Sequence, residues 1–262
     1  MRPMRGIIYK LFSVVAFIVM ASLIKATSDH VPPGQAVFFR SFFAMPVIIV
    51  WLMMRRELRS GLKVSAPMGH VWRGVVGTMA MGLGFAGLGY LPLPEVTAIG
   101  YAAPLLTVIF AAMFLGEDVR LFRISAVVLG LIGVLIVLSP RLSVVPGPGN
   151  DLAAFGAMLV LGGAVFAALA QVFVRKLVMK EKTAAIVFYF SLTATLLSLV
   201  TLPFGWVIPA PKEAILLILA GLLGGVGQIF LTSSYREADA SVVAPFDYAS
   251  MIFALSIGYW VF

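Results

Sequence analysis

Long apolar runs, each close to the length of one bilayer crossing and separated by short polar stretches, organise this chain. A helix needs about 20 mainly apolar residues to cross the hydrocarbon core. Nine runs qualify: Ile7 to Ala26, Gln35 to Met54, His70 to Tyr90, Pro94 to Leu115, Leu121 to Ser139, Leu152 to Val174, Thr183 to Pro203, Ala214 to Ser234 and Ser241 to Phe262. They are continuous, whereas the strands of a membrane barrel are about half as long and alternate polar with apolar residues. The predicted fold class is all-α integral membrane.

The runs repeat. Shifting Glu95, Thr97 and the apolar residues after them by 144 positions sets them on Asp239, Ser241 and the run that follows. A shift of 150 sets Lys25 on Arg175, Phe38 on Phe188, Ser41 on Ser191 and Ala44 on Ala194. Two nearly equal offsets over different helices indicate a duplicated unit, with a Pro-interrupted helix at matching places. The Pro- and Gly-rich break Pro140 to Asp151 falls between the copies. The predicted organisation is a first repeat over 1–139 (helices 1–5), a linker over 140–151 and a second repeat over 152–262 (helices 6–9). Five spans before the linker start the second copy from the opposite face, so the repeats are expected to be inverted. That symmetry expects ten helices, with nine represented here, the ninth cut short and the tenth beyond Phe262.

Composition agrees with a membrane location: 61% of residues are hydrophobic and 11% charged, against about 25% charged in soluble domains. Fifteen basic residues lie at the N-terminus and in alternate loops, with Lys10 and Arg73 counted there; the other loops hold three, Lys25, Arg141 and Lys212, and Arg40 sits inside a span. By the positive-inside rule the N-terminus is cytoplasmic. The net charge of +8 thus reflects topology rather than a nucleic-acid partner. With no cysteine, thiol catalysis and Cys-ligated metals are excluded, and His30 and His70, read as loop residues without an acidic cluster, suggest no metal site. No cofactor is expected. An enzyme would need a nucleophile with its base, or a metal cluster, at membrane depth, and the glycines around Gly82 sit mid-span, where they cannot cradle a nucleotide's phosphates.

The segments AVFFRSFFAMPVII, HVWRG, LPLPEVTAIGYAAPLLTVIFAAMFLGE and ADASVVAPFDY resemble the EamA branch of the drug/metabolite transporter superfamily. The resemblance implies two inverted five-helix repeats, a central cavity between them, a small-molecule substrate and a place in the bacterial inner membrane. Within that branch, PMRGIIYKLFSVV with VPPGQAVFFRSFF is similar to riboflavin importers, and FFRSFF with HVWRG to S-adenosylmethionine carriers. Riboflavin uptake is the first expectation. Other metabolite or amino-acid carriage, drug export and a non-transporting membrane scaffold are the alternatives.

Ionisable groups inside a span are functional candidates, because each costs about 2.5 to 3.5 kcal/mol on insertion scales. Lys25, Arg40 and Glu95 fall near the outer surface and form a candidate ionic gate; the competing reading is that Arg40 and Lys25 snorkel to lipid headgroups. Their counterparts Arg175 and Asp239 make a matching inner gate, while Arg40 is set on Phe190, so the symmetry breaks there. Asp247, two residues after Pro245, is a candidate for proton coupling or for a donor on the substrate, and equally for satisfying a neighbouring helix. Aromatic rings stack well on planar solutes. The candidate substrate-binding set is Arg40, Phe39, Phe43, Tyr101, Gln171, Tyr189, Gln228, Asp247 and Tyr248, although many rings in these helices also suit lipid or helix packing.

Overall fold

The computed structural model describes residues 2–117, 121–142 and 150–260, and the regular elements among them are all helical. Arg120, positions 143–149 of the predicted linker and the last two residues of the predicted ninth span lie outside the described residues. Among the described residues, seven helical runs are long and apolar enough to cross a membrane: Pro3–Lys25, Pro33–Met54, Pro67–Tyr90, Leu93–Leu115, Asp151–Val178, Pro211–Glu237 and Ala240–Trp260. Two shorter apolar stretches, Ile124–Ile136 and Thr183–Leu199, fall on the remaining two predicted spans. The chain is an all-α, multi-pass membrane protein.

Prolines decide where these helices begin and where they break. The first span is α1 (Pro3–Lys25), and a proline occupies one of its first two positions. The same is true of α2 (Pro33–Phe42), which α3 (Ala44–Met54) continues. After the short α4 (Leu58–Gly61) it recurs in α5 (Pro67–Tyr90) and in α6 (Leu93–Gly100), which α7 (Ala102–Leu115) continues. There the missing N–H is an orphan anyway and the fixed φ suits the helix. Inside a helix the ring collides with the carbonyl four residues back. Accordingly α2 ends at Phe42, four before Pro46, and α6 ends at Gly100, four before Pro104.

The second half comprises α8 (Leu121–Leu142), α9 (Asn150–Val178), α10 (Thr183–Leu199) and α11 (Pro211–Glu237), again opened by proline. It ends in α12 (Ala240–Val243), a 3-10 turn over Ala244–Ala249 that contains Pro245, and α13 (Ser250–Trp260). The proline-set starts correct three assignments. Lys10 and Arg73, counted with the loops by charge, and His70, read as a loop residue, lie within α1 and α5 and are buried.

The two most extensive helix contacts are α1 with α11 and α5 with α9, while α2 and α3 run against α10. Exchanging first span with sixth, second with seventh and third with eighth maps this pattern onto itself. Large apolar side chains such as Ile132, Leu135, Ile136, Leu196, Phe204 and Leu255 face outward, whereas Ser13, Ser41, Thr107, Ser191, Thr195 and Ser234 are buried. This is the reverse of a water-soluble core. Where lipid offers no driving force for apolar burial, close backbone approach and polar contacts hold helices together. Gly225 of α11 shows the closeness: a Cβ there would lie 3.0 Å from the carbonyl oxygen and 3.1 Å from the Cα of Ala44. Gly82, by contrast, has nothing within 4 Å of such a Cβ.

Gly225→Val is expected to destabilise the purified protein by about 1–3 kcal/mol, the range for overpacking a tight contact. Gly82→Ala should leave it unchanged or slightly more stable, because it adds helix propensity and meets no obstacle. Thermal unfolding in one detergent reads both.

Candidate functional site

A cavity of about 310 Å³ lies where the two sets of helices meet. Phe17 and Met20 line it from α1, Arg40 from α2 and Arg73 with Phe85 from α5; Gln171, Phe190, and Gln228 with Leu231 face them from α9, α10 and α11. Each half therefore contributes three spans, in a volume near the lower end of the roughly 300 to 1,000 Å³ usual for small-molecule sites.

Two guanidinium groups dominate its chemistry. Arg40 and Arg73 are each only 3% exposed. Arg40 donates through Nη2 to the Gly224 carbonyl at 3.4 Å and to Gln228 Oε1 at 3.3 Å, both long contacts. Its Nε and Nη1, and the Nε and Nη1 of Arg73, have no hydrogen-bond partner. The Phe190 ring lies beneath both: Arg73 Cζ is 3.9 Å and Arg40 Cζ 5.2 Å from its centroid. A desolvated cation–π contact contributes about 2 kcal/mol, less than the several kcal/mol that burying an ion costs. The ring therefore positions these cations without neutralising them. Gln171 Oε1 and Gln228 Nε2 are also buried and unpartnered.

A second ionic group lies towards the face that carries the N-terminus. Lys10, 1% exposed, is 2.8 Å from Asp247 Oδ2, and its Nζ sits 5.4 Å from the centre of the fully buried Tyr235 ring. Arg175 pairs with Asp239, approaches Glu117 Oε1 at 3.5 Å and donates from Nη1 to the Tyr235 carbonyl at 2.8 Å. Glu117 in turn accepts from the backbone N–H groups of Ala240 at 3.2 Å and Ser241 at 3.1 Å. This network ties α9 to the end of α7 and the start of α12.

Outside the spans on the same face, Glu181 accepts from Ser65 N at 2.7 Å, Ser65 Oγ at 2.8 Å and Ala66 N at 2.7 Å, just before α5 begins. Burial opposes its ionisation, but these donors, with His70 nearby, hold its carboxyl below the usual range. His70 itself is in no loop; its Nε2 is 3.8 Å from Glu181 Oε1 and its ring meets Tyr189 edge-on. The Glu57 carboxyl is likewise held low, chiefly by its hydrogen bond and charge interaction with Lys182. Among the described residues, no three His, Asp or Glu side chains come together as a metal site would need.

The predicted binding residues therefore separate. Arg40, Gln171 and Gln228 line the cavity. Phe39 and Phe43 stack at 5.8 Å and pack against α11 beside Gly221, away from it. Tyr189 donates to the Leu62 carbonyl, and Tyr101 reaches the Tyr248 carbonyl and Ser250 Oγ with its ring against Tyr248. Asp247 belongs to the Lys10 pair.

Of the predicted gates, Arg175 and Asp239 do meet, with Glu117 as a third member that the sequence reading did not assign. At the opposite face Lys25 donates to the Leu88 carbonyl at 2.7 Å while Arg40 turns to Gly224 and Gln228, so these two cations take separate partners. That face also carries His30 with Glu213, 2.9 Å apart, and Gln35, which exchanges hydrogen bonds with the Val207 backbone. Arg73 and Lys10 were missed as site residues. The spans predicted from Ile7 and from His70 already contained them, and Pro3 and Pro67, as helix openers, set those helices to begin earlier still.

A hollow lined by helices from both halves, in a bundle whose long helices are apolar enough to cross a membrane, fits the architecture of a polytopic membrane transporter. The model of the EamA-like transporter family matches residues 4–139 and 154–262, and the chain belongs to that family. It is 32% identical over 258 residues to the pseudopaline exporter CntI of Pseudomonas aeruginosa, covering 98% of this chain and 87% of that one. It is 27% identical over 259 residues to an S-adenosylmethionine uptake transporter of Rickettsia prowazekii, with 99% and 85% covered. An uncharacterised transporter of Helicobacter pylori is 28% identical over 268 residues, with 98% and 86% covered. A solved crystal structure matches with a TM-score of 0.76 at 21% identity, over 98% of this chain and 88% of that chain, which speaks to fold alone.

Replacing Asp247 with Asn should destabilise the protein by about 3–5 kcal/mol, because it leaves the Lys10 ammonium buried without its counter-ion. Lys10→Met combined with Asp247→Leu should recover most of that loss in a double-mutant cycle of unfolding midpoints. Glu181 gives a pH dependence of known sign. A lowered carboxyl pKa stabilises the fold above the ordinary value of about 4.3, and that contribution is lost as the pH falls through the lowered value. Glu181→Gln should flatten this acid limb of the unfolding curve.

Proposed function

We propose that the chain carries a small organic solute across the bacterial inner membrane by alternating access, with its N-terminus cytoplasmic and the Arg40–Arg73 cavity as the station between the two faces. The observation that carries this reading is that three spans from each half line one hollow, where Arg40, Arg73, Gln171 and Gln228 each keep buried polar atoms without a protein partner. A scaffold has no use for such a hollow. An inverted duplication over 1–139 and 152–262 is supported by helix contacts that survive exchange of the halves. It is supported too by Arg40 and Phe190, set on each other by the repeat offset, which meet in the cavity. The basic residues Arg55, Arg56, Lys176, Lys180 and Arg236 on the N-terminal side support the orientation.

In this reading the Arg175, Asp239 and Glu117 network shuts the cytoplasmic side. On the other side Phe85 stands between the central cavity and an outer vestibule of about 400 Å³ lined by Ile24, Asp29, Val31 and Tyr90. Opening one barrier while the other holds passes the solute. Riboflavin uptake, suggested by the opening segments, gains no support from the relatives, whose names give pseudopaline and S-adenosylmethionine. One of these relatives exports and the other imports, so this architecture does not itself set direction.

The absence of cysteine makes an access test direct. Gln171→Cys should react with a membrane-impermeant thiol reagent severalfold faster from the cytoplasmic face when Glu117→Gln or Asp239→Asn loosens the network. Phe85→Ala should raise its reactivity from the other face. Equal reactivity in all three backgrounds would sink the alternating-access reading.

A further inference from the structure

We propose that the central cavity recognises an oxyanion group on the transported solute, a carboxylate or a phosphate, gripped jointly by the guanidinium groups of Arg40 and Arg73. The proposal rests on the reading of this cavity as the transport station and adds the chemistry of what it takes.

Four Lys or Arg side chains are buried among the described residues: Lys10, Arg40, Arg73 and Arg175. Lys10 has Asp247, and Arg175 has Asp239 and Glu117. The fold thus supplies counter-ions where it buries a cation for structural reasons. Arg40 and Arg73 are the two that receive none, and they share one cavity, so their like charges add instead of cancelling. A pair of uncompensated cations at this depth repels every cationic solute and favours any group that brings negative charge between them.

The donor pattern points the same way. Among the described residues Arg40 reaches two acceptors, the Gly224 carbonyl and Gln228 Oε1, both through Nη2, while Nε and Nη1 of both arginines remain unused. Arginine donors suit planar or tetrahedral oxyanions. The walls also make room for these groups in place. A Cβ on Gly77 would fall 1.9 Å from Arg73 Nη1 and 2.8 Å from the Phe190 ring, and one on Gly224 would fall 2.9 Å from Arg40 Nε. Phe190 fixes both guanidinium planes, which makes it a positioning residue, and Gln171 and Gln228 offer amide groups to the remainder of the solute.

The test uses the purified full chain and matched probes: succinate and glutamate for carboxylates, glycerol 3-phosphate and adenosine monophosphate for phosphates. Each is paired with its neutral amide, alcohol or nucleoside. At least one acid should raise the unfolding midpoint while its neutral partner does not, and the arm that responds identifies the oxyanion. Arg40→Gln and Arg73→Gln should each weaken that acid's apparent affinity at least about tenfold, and Arg73→Lys, which keeps the charge, should lose less.

Should the glutamine variants not fold, Gly77→Ala serves instead, because it displaces the Arg73 head group and should lower affinity in the same direction. Stabilisation by neutral partners as strong as by acids, no response to any acid, or folded variants that bind acids like the parent would overturn the proposal. Proteoliposomes separate it from the reading beneath it. Anion binding without exchange of labelled anion leaves the clamp and removes the transport reading, whereas flux of neutral solutes indifferent to Arg40 and Arg73 does the reverse.

Discussion

A charge buried in a hydrocarbon layer must find a counter-charge or a polar hollow, and that constraint shapes the interior of this bundle. Lys10, Arg175 and their acidic partners meet it within the protein, joining α1 to the Pro245 turn and α9 to α7 and α12. Arg40 and Arg73 meet it with a cavity. The two solutions lie apart, one near the face that carries the N-terminus and one between the halves. A soluble protein of this size would place the same cations at its surface.

The bundle affords this interior because its helices are held by close backbone contact. Gly221, Gly224 and Gly225 bring α11 against the break between α2 and α3, and Gly77 lets Phe190 and Arg73 meet. Such contacts are numerous and individually small, so each can be remade at little cost. The breaks before Pro46, Pro104 and Pro245 release the usual hydrogen bonding over one turn in the second, fourth and ninth spans. Of these three, the second span lines the central cavity, through Arg40, two residues before its break.

The family relationship places the chain among membrane transporters, and the names of its relatives span export and uptake. A fold shared across both directions leaves the solute to be decided by a few cavity side chains. In this chain the central cavity is lined by two arginines and two glutamines and, among its lining residues, by no carboxylate.

The sequence by itself determined the helical class, the number and approximate limits of the spans, the likeness of the two halves and the family, because each is written in local runs of apolar residues and in short motifs. Arg40, Gln171 and Gln228 were legible as candidates because a polar residue inside an apolar run stands out on its own. The tertiary structure alone decided which of them meet. It set Asp247 on Lys10, detached Lys25 from Arg40, added Glu117 to the Arg175 pair and brought Arg73 beside Arg40. Those pairings join residues far apart in the chain, and the rotation of each helix about its axis, fixed by glycine contacts and proline breaks, selects which face turns inward. A linear pattern reports that a charge is buried, but only the packed bundle shows what answers it.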